Sequence, residues 1–523
     1  MADGVGLASW PAAEPAAVPL WTARDTATMA GVLANIPADM AQRRIALAAV
    51  ETAVEAWDGN ADLRCRHALL LDAVGRTEEA RQAYLVSLRE TPGHAATLNG
   101  LGALLNRTGY RAAARTVFAQ VTACHPRQAL GHVNLANVLR EDRDLSGARR
   151  HYEVALLLAP GLPEAHQGLG QVLADIGDPM GAERHWQIGY RDRVFTTWPY
   201  RGEGAPIRVL LLASVVGGNV PLRALLDDRI FEVVAVATEF ATAKITLPQH
   251  DVVLNAIGDA DLCGRGLSRA AELAARTNAP IVNHPHAVKA TGRLANVRRF
   301  AEFSGVVTPG MALLPRELLQ GRAAADVLRD SGFAWPMLLR APGFHTGAHF
   351  LRVDTPSDLA DAVAALPGEQ LLAIDCLDAA GADGLFRKGR VLTIDGALYP
   401  LHWAISVDWM VHYCSAGMAT NPAYRAEEAR FLLDMEGFIG AKAFAALRAI
   451  AAGIGLDYGG IDFGIGRDGD VLLFEANATM AIVPPSPDPI WDYRRPAITR
   501  ATDATQTMFE QRATAVRRTP TAR

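Results

Sequence analysis

From about residue 61 to 194 the same residue types return at a period of about 34 residues. A period of that length commits a chain to stacked two-helix units, because one such unit cannot bury its apolar face alone. Small turn glycines stand at Gly75, Gly109 and Gly177, with Arg143 in the corresponding place of the third unit. Alanines follow at Ala80, Ala114, Ala148 and Ala182, and large aromatics at Tyr84, Phe118, Tyr152 and Trp186. Prolines close three of the units at Pro92, Pro126 and Pro160. Glycine permits the tight turn between helices, and alanine lets the second helix approach the first. The ring fills the remaining gap, and proline stops the second helix by removing a donor and clashing with the preceding turn. Gly102 and Gly170 hold the small-residue position of the first helix, in LNGLGALL and HQGLGQVL.

This pattern resembles the tetratricopeptide repeat family over residues 61 to 194. The resemblance implies an N-terminal all-α helical repeat solenoid (61–197) whose concave groove binds a peptide or protein partner. A packing or oligomerisation spacer is the alternative, since a fold alone specifies no ligand. Residues near 28 to 58, within an N-terminal segment 1–60, are expected to form a degenerate capping pair.

The chain has 523 residues, half of them hydrophobic and a fifth charged, which is the balance of a globular protein of two to four domains. A net charge of -5 leaves no basic excess for a phosphate backbone, so nucleic acid is not an expected partner. No apolar run nears the roughly 20 residues that span a bilayer, and the N-terminus lacks a basic segment followed by an apolar core. No membrane association is expected, and a cytoplasmic location follows. Cys65, Cys124, Cys263, Cys376 and Cys414 form no cluster of metal-site spacing and are expected reduced and mostly buried.

After WPYRGEGAP (198–206) helical periodicity gives way to short apolar runs, which marks the main domain boundary. IRVLLLAS (207–214), FEVVAVAT (231–238), HDVVLNAI (250–257) and APIVNH (279–284) read as buried parallel strands of an α/β domain over 206–300. SVVGGNVPLRALL matches neither the P-loop nor the dinucleotide fingerprint. Gly217 and Gly218 there are a structural turn or part of a substrate loop, with a helix starting near Pro221. From about residue 300 a helix is expected to end in SGVVTPGM. Two strands follow, WPMLLRAP and HFLRV, joined by GFHTGA. Gly343, His345, Thr346 and Gly347 make that joint a flexible hairpin whose backbone donors suit phosphate, with Arg340 as cationic anchor. A plain β-turn is the alternative.

Residues 457–480, DYGGIDFGIGRDGDVLLFEANATM, read as a β-hairpin turning at RDGD. Glu475 and Asn477 project to one side of the second strand, and the hairpin brings Asp462 beside them. Two carboxylates and an amide in an apolar hairpin are costly to bury without cations, so a hard metal such as Mg²⁺ is the expected partner. The alternative is a set of polar residues on a half-exposed hairpin.

An Asp, twelve residues and then Glu-x-Asn resembles the metal-binding signature of the ATP-grasp superfamily, which includes glutathione synthetase and D-alanine:D-alanine ligase. The resemblance spans about 206–510 and implies a multidomain chain. A pre-ATP-grasp α/β domain would occupy 206–300, an α+β ATP-grasp domain 301–510 and a basic tail 511–523. It implies ATP and two magnesium ions, with Mn²⁺ as a substitute, ligated by Asp462, Glu475 and Asn477. Arg340 stands where the family commonly has a phosphate-binding lysine, and the loop with Gly343, His345, Thr346 and Gly347 stands where it has a glycine-rich lid. Arginine there keeps the charge and adds a bidentate fork, so the change is not neutral. In NHPHAVKATGRLANVRRF, Arg293, with Lys289 in reserve, takes the place of the family's other phosphate-contacting lysine. By the same resemblance LLAIDCLDAAGADG would be the hinge strand that holds adenine by backbone groups, with Asp375 or Asp378 near the ribose. Arg387, Lys388 and Arg390 resemble the strand that neutralises the transferred phosphate, some of them turned away because strand faces alternate. His402 and His412 are candidates for substrate contact or proton transfer, against a structural role among aromatics.

The implied activity is a carbon-nitrogen ligase acting through an acyl phosphate, with a small-molecule carboxylate or amine substrate and the repeats recruiting a peptide or protein. One alternative is a non-catalytic repeat scaffold with a degenerate, ATP-sensing module. The other is a small-molecule phosphotransferase.

Overall fold

The computed structural model describes residues 40–56, 59–321, 323–344, 347–413 and 416–517. His345, Thr346, Cys414, most of the N-terminal segment and the end of the basic tail lie outside the described residues. The chain divides into two compact units. One runs to Pro206 and takes in Asp228–Glu232, and the other holds Ile207–Asp227 and Val233 onward.

The first unit contains nine consecutive helices among the described residues. Met40–Ala56 is followed by the pairs Ala61–Ala73 with Thr77–Glu90, Ala95–Arg107 with Arg111–Cys124, Ala129–Glu141 with Leu145–Leu158, and Pro163–Asp175 with Pro179–Gly189. The alanines at 80, 114, 148 and 182 are wholly buried, as the close helix approach requires. The aromatics sit in notches left by glycine: a Cβ on Gly102 would meet Phe118, and one on Gly170 would meet Trp186, each at 2.5 Å. No described helix is long and apolar enough to cross a membrane.

Each first helix ends in the same left-handed turn. Gly75, Gly109 and Gly177 have φ near +85°, and their N–H groups, with those of the following residues, cap carbonyls of the last turn. Arg143 makes the same two backbone bonds at φ 65°. A side chain with a Cβ is strained in that region. Arg143→Gly is therefore expected to stabilise the array by roughly 0.5–1 kcal/mol, measured by chemical denaturation.

The second unit holds three sheets. In the first, Ile207–Ala213 pairs in parallel with Val252–Asn255, and that strand with Ile281–Val282. The strand expected at 231–238 forms over Phe231–Ala237. The second is antiparallel, in the order Met311–Pro315, Gln370–Asp375, Met337–Arg340, Phe350–Val353. Its apolar side buries Met337, Leu339, Val353 and Leu371 against Leu359 and Val363 of the helix Leu359–Ala365. The third runs Ala397–Ser406, Phe386–Ile394, Tyr458–Ile465, Val471–Asn477, with Val306–Val307 added in parallel at the edge.

That edge strand corrects one expectation. The helix Arg293–Phe300 stops before SGVVTPGM; Gly305 turns the chain at φ 75°, and the β-branched Val306 and Val307 pair beside Val471 and Leu472. Near Pro221 the chain forms a 3-10 turn, Leu222–Ala224, instead of a full helix. The segment after residue 510 continues the helix Arg495–Arg517, with Ala513 buried and Arg512 bound to Asp457 at 3.1 Å. An Asn283 latch joins the first sheet to the third. Its N–H donates to Asp457 (2.8 Å), its amide donates to the Tyr458 carbonyl (2.6 Å), and the Tyr458 N–H returns a bond to Asn283 Oδ1 (2.9 Å). Asn283 reaches this geometry at φ 56°, which asparagine tolerates well.

Candidate functional site

Strand register aligns four expected residues in one line across the third sheet. Arg390 lies opposite His402 on one side and Asp462 on the other, and Asp462 lies opposite Glu475. Side chains directly opposite share a face, and residues two apart on a strand do too, so Lys388 and Asn477 belong to the same face. The reverse face is aromatic: Trp403, Phe431 and Phe463 pack together there, and Gly389 leaves room for the Phe463 and Trp403 rings. An apolar floor beneath a charged face fixes the alternation FRKGRV and IDF and holds the charges in place.

The same alternation removes Arg387 from the group. Its guanidinium is held by Asp383 (2.8 Å) and by Glu427 (2.7 Å) of the helix Pro422–Leu433, away from Asp462. Its expected catalytic role is corrected to that of an anchor.

Asp462 is almost fully buried. Arg390 donates to both of its oxygens, at 2.6 and 2.7 Å, and the Lys388 ammonium stands 3.3 Å away. Burial pushes the Asp462 carboxyl up, but Arg390 and Lys388 outweigh it and hold the group well below the carboxylate range. Glu475 accepts from Arg293 at 2.8 Å, and Arg293 also reaches Asp261 at 3.3 Å. Burial opposes the Arg293 charge, while Glu475 and Asp261 more than restore it. Asn477 Oδ1 accepts from the Thr479 N–H and hydroxyl, at 2.9 and 2.8 Å.

Two groups nearby retain unused capacity. Arg340 donates to the Phe344 carbonyl and stacks over Phe350 at 5.5 Å, but its buried Nε has no hydrogen-bond partner among the described residues. Burial, then the like charge of Arg293, lowers its pKa. His402 is 8% exposed, with Nδ1 unpartnered among the described residues, and burial followed by the Arg390 charge keeps its imidazole neutral at physiological pH. His412 is shifted down likewise, by burial and then Lys388. A Cβ on Gly347 would strike its ring, so Gly347 lies against it. Gly343 and Gly347 both have positive φ, 82° and 74°.

The remaining expected residues sit apart from the line of charge. Asp375 accepts from the Gly310 N–H at 3.0 Å, and Asp378 is an exposed partner of Arg467 at 3.3 Å. Lys289 donates to Ser268 at 3.2 Å. Gly217 and Gly218 form a turn at φ 111° and 65° against Asp259 and Cys263.

Sequence reasoning overlooked Asp261 and Glu428. Asp261, with Gly258, Thr291 and Arg293, lines a cleft that Glu475 and Asn477 close from the other side. Its signal was the short acidic DAD after the strand at 252–255. Glu428, wholly buried behind the face, accepts from the hydroxyls of Tyr413 and Tyr493 and from the Trp403 N–H (3.2 Å), with Arg494 3.5 Å away. In YRAEEARF it reads as an ordinary surface charge.

Among the described residues no group of three or more His, Cys, Asp or Glu gathers as a metal cage. Mg²⁺ needs no such cage, since one or two carboxylates with phosphate oxygens and water suffice. Glu475, with a side chain 27% exposed, would meet that requirement on giving up its Arg293 contact, with Asn477 beside it. Asp462 meets it on exchanging a guanidinium contact.

No protein-family model and no curated protein matches the chain. Similar solved structures include a MamA RS-1 double mutant at 20% identity, covering 28% of this chain and 84% of that chain with a TM-score of 0.26. MamA 41-end from Desulfovibrio magneticus RS-1 is 20% identical, covering 29% and 87% at 0.27. A further MamA crystal structure is 16% identical, covering 33% and 95% at 0.27. Scores of that size carry no argument, and the repeat description rests on the chain's own helix pairs and their period.

Proposed function

We propose that this protein is an ATP- and Mg²⁺-dependent ligase that joins a carboxylate to an amine through an acyl phosphate, its tetratricopeptide-like groove recruiting a peptide or protein substrate. The observation that carries the reading is the line His402, Arg390, Asp462, Glu475, flanked by Lys388, Arg293 and Arg340. Four cations beside two carboxylates over an apolar floor are a receptor for a polyanion that arrives with divalent metal. They do not suit a neutral ligand.

In this reading Arg293, Arg340, Lys388 and Arg390 orient and neutralise the triphosphate, and Asp462, Glu475 and Asn477 hold Mg²⁺. Bound Mg²⁺ supplies further charge neutralisation at the β- and γ-phosphates. A substrate carboxylate oxygen takes the γ-phosphoryl group and ADP leaves. The amine then attacks the acyl carbon, phosphate departs and the nitrogen loses a proton. No nucleophilic side chain is needed, and positioning with electrostatics does the work. Neutral His402 can accept a hydrogen bond at Nδ1 without adding charge.

The test is ADP release by the full chain with Mg²⁺, ATP and pooled amino acids and peptides, followed by mass spectrometry of the products. An amide product is expected. A phosphorylated small molecule would indicate phosphotransfer instead, and no ADP with any pool would end the ligase reading. Because arginines already occupy both carboxylates, calorimetry with Mg²⁺ alone is expected to show no binding, and Mg²⁺ with ATP to show it.

The same occupation of Asp462 favours a second reading, a scaffold whose nucleotide module senses ATP. Tight ATP binding with no turnover under saturating acceptors would select it.

A further inference from the structure

The helical repeats hold two histidine pairs. His132 of Ala129–Glu141 meets His151 of Leu145–Leu158, Nδ1 to Nδ1, at 3.0 Å. At the equivalent positions of the next repeat, His166 meets His185 at 2.8 Å, again through Nδ1. The inner ring of each pair is tied by its far nitrogen to a proline carbonyl, His132 Nε2 to Pro126 at 3.0 Å and His166 Nε2 to Pro160 at 2.9 Å.

Those carbonyls settle the tautomer. A carbonyl only accepts, so Nε2 carries the hydrogen and Nδ1 of each inner ring presents a lone pair to its partner. A far nitrogen bonded to a backbone carbonyl is the support that metal-ligating histidines carry. Two imidazole nitrogens about 2.0–2.1 Å from one ion lie about 2.9–3.4 Å apart, close to both observed separations. Burial, and then the neighbouring imidazole, lowers the pKa of His151 and of His185, which favours the neutral form of the outer rings. Packing does not demand histidine here: the preceding repeat fills the two positions with Leu98 and Val117, both buried.

We infer that His132 with His151, and His166 with His185, are two equivalent binding sites for a borderline divalent transition ion of the Cu²⁺, Ni²⁺ and Zn²⁺ class. Each site supplies two nitrogens and leaves the other positions to water. Imidazole suits this class and not Mg²⁺, so the sites are chemically separate from the carboxylate face. Binding moves the Nδ1 hydrogen of the outer ring to its own Nε2, with no net proton released. The ion then staples the two helices of the third and fourth repeats.

Copper titration of the full chain, followed by electron paramagnetic resonance, tests this. The wild type is expected to bind two Cu²⁺ with nitrogen hyperfine structure. His151→Gln and His185→Gln, which keep a hydrogen-bond donor but not the ligating nitrogen, should each lose one equivalent, and the double variant both. Copper bound elsewhere is common to all four proteins and cancels. An unchanged copper count in the double variant would overturn the inference. Should that variant not fold, copper and ascorbate oxidation of the wild type, mapped by peptide mass spectrometry, decides the matter. Oxidation at His132, His151, His166 and His185 supports the sites, and oxidation confined to other histidines refutes them.

Discussion

A Glu475→Ala protein is expected to release ADP roughly 10²–10³-fold more slowly than the parent, the loss typical of deleting one group that stabilises transition-state charge. Glu475 is the less buried of the two carboxylates on the face, and its ion-pair partner, Arg293, has Asp261 as a second carboxylate at 3.3 Å. Arg293 is not stranded, so the fold should persist, and an unchanged melting curve with slowed turnover is the signature. Turnover within about threefold of the parent would remove Glu475 from the metal set. A collapsed melting curve would show that the Arg293 pair is structural first.

Glu428→Ala is expected to cost the second unit about 3–5 kcal/mol, because removing one partner of a buried ion pair leaves the other charge uncompensated. Arg494, with a side chain 9% exposed, would lose its carboxylate, and the Tyr413 and Tyr493 hydroxyls and the Trp403 N–H would lose their acceptor together. Burial raises the Glu428 pKa while Arg494 and the two tyrosines oppose the rise, so these partners are what let a carboxylate reside there. Glu428→Gln keeps a carbonyl acceptor and should lose less. Urea denaturation followed by tryptophan fluorescence measures both, and a loss below about 1 kcal/mol for the alanine variant would show that Arg494 finds another partner.

Local grammar made much of this architecture legible. The glycine, alanine, aromatic and proline positions recur because each two-helix unit solves the same packing problem, and the hairpin at 457–480 announces itself by RDGD between apolar runs. Parity along a strand also placed Glu475 with Asn477. Partners distant in sequence were not legible. Arg390 and Asp462 are 72 residues apart and are joined by sheet register, while Arg293 and Glu475 are 182 apart and meet where the helix Arg293–Phe300 packs beside the sheet. The choice among Arg387, Lys388 and Arg390 turned on which face the strand presents, and that is marked by Glu427 on a separate helix, which takes Arg387, and by Asp462, which takes the other two. SGVVTP misled because two β-branched residues after a glycine are too short a run to announce a strand, and the edge of a neighbouring hairpin supplied what the local sequence lacked.

The pairing of opposite charges, Arg390 with Asp462 and Arg293 with Glu475, also constrains how this chain can drift. A lone substitution at Arg390 or Asp462 leaves its neighbour without its complement, so losses at the two members will not sum. Lineages that repurpose this face must therefore exchange residues in matched couples, and a reversed couple, cation for anion at both members, is the signature such a history would leave.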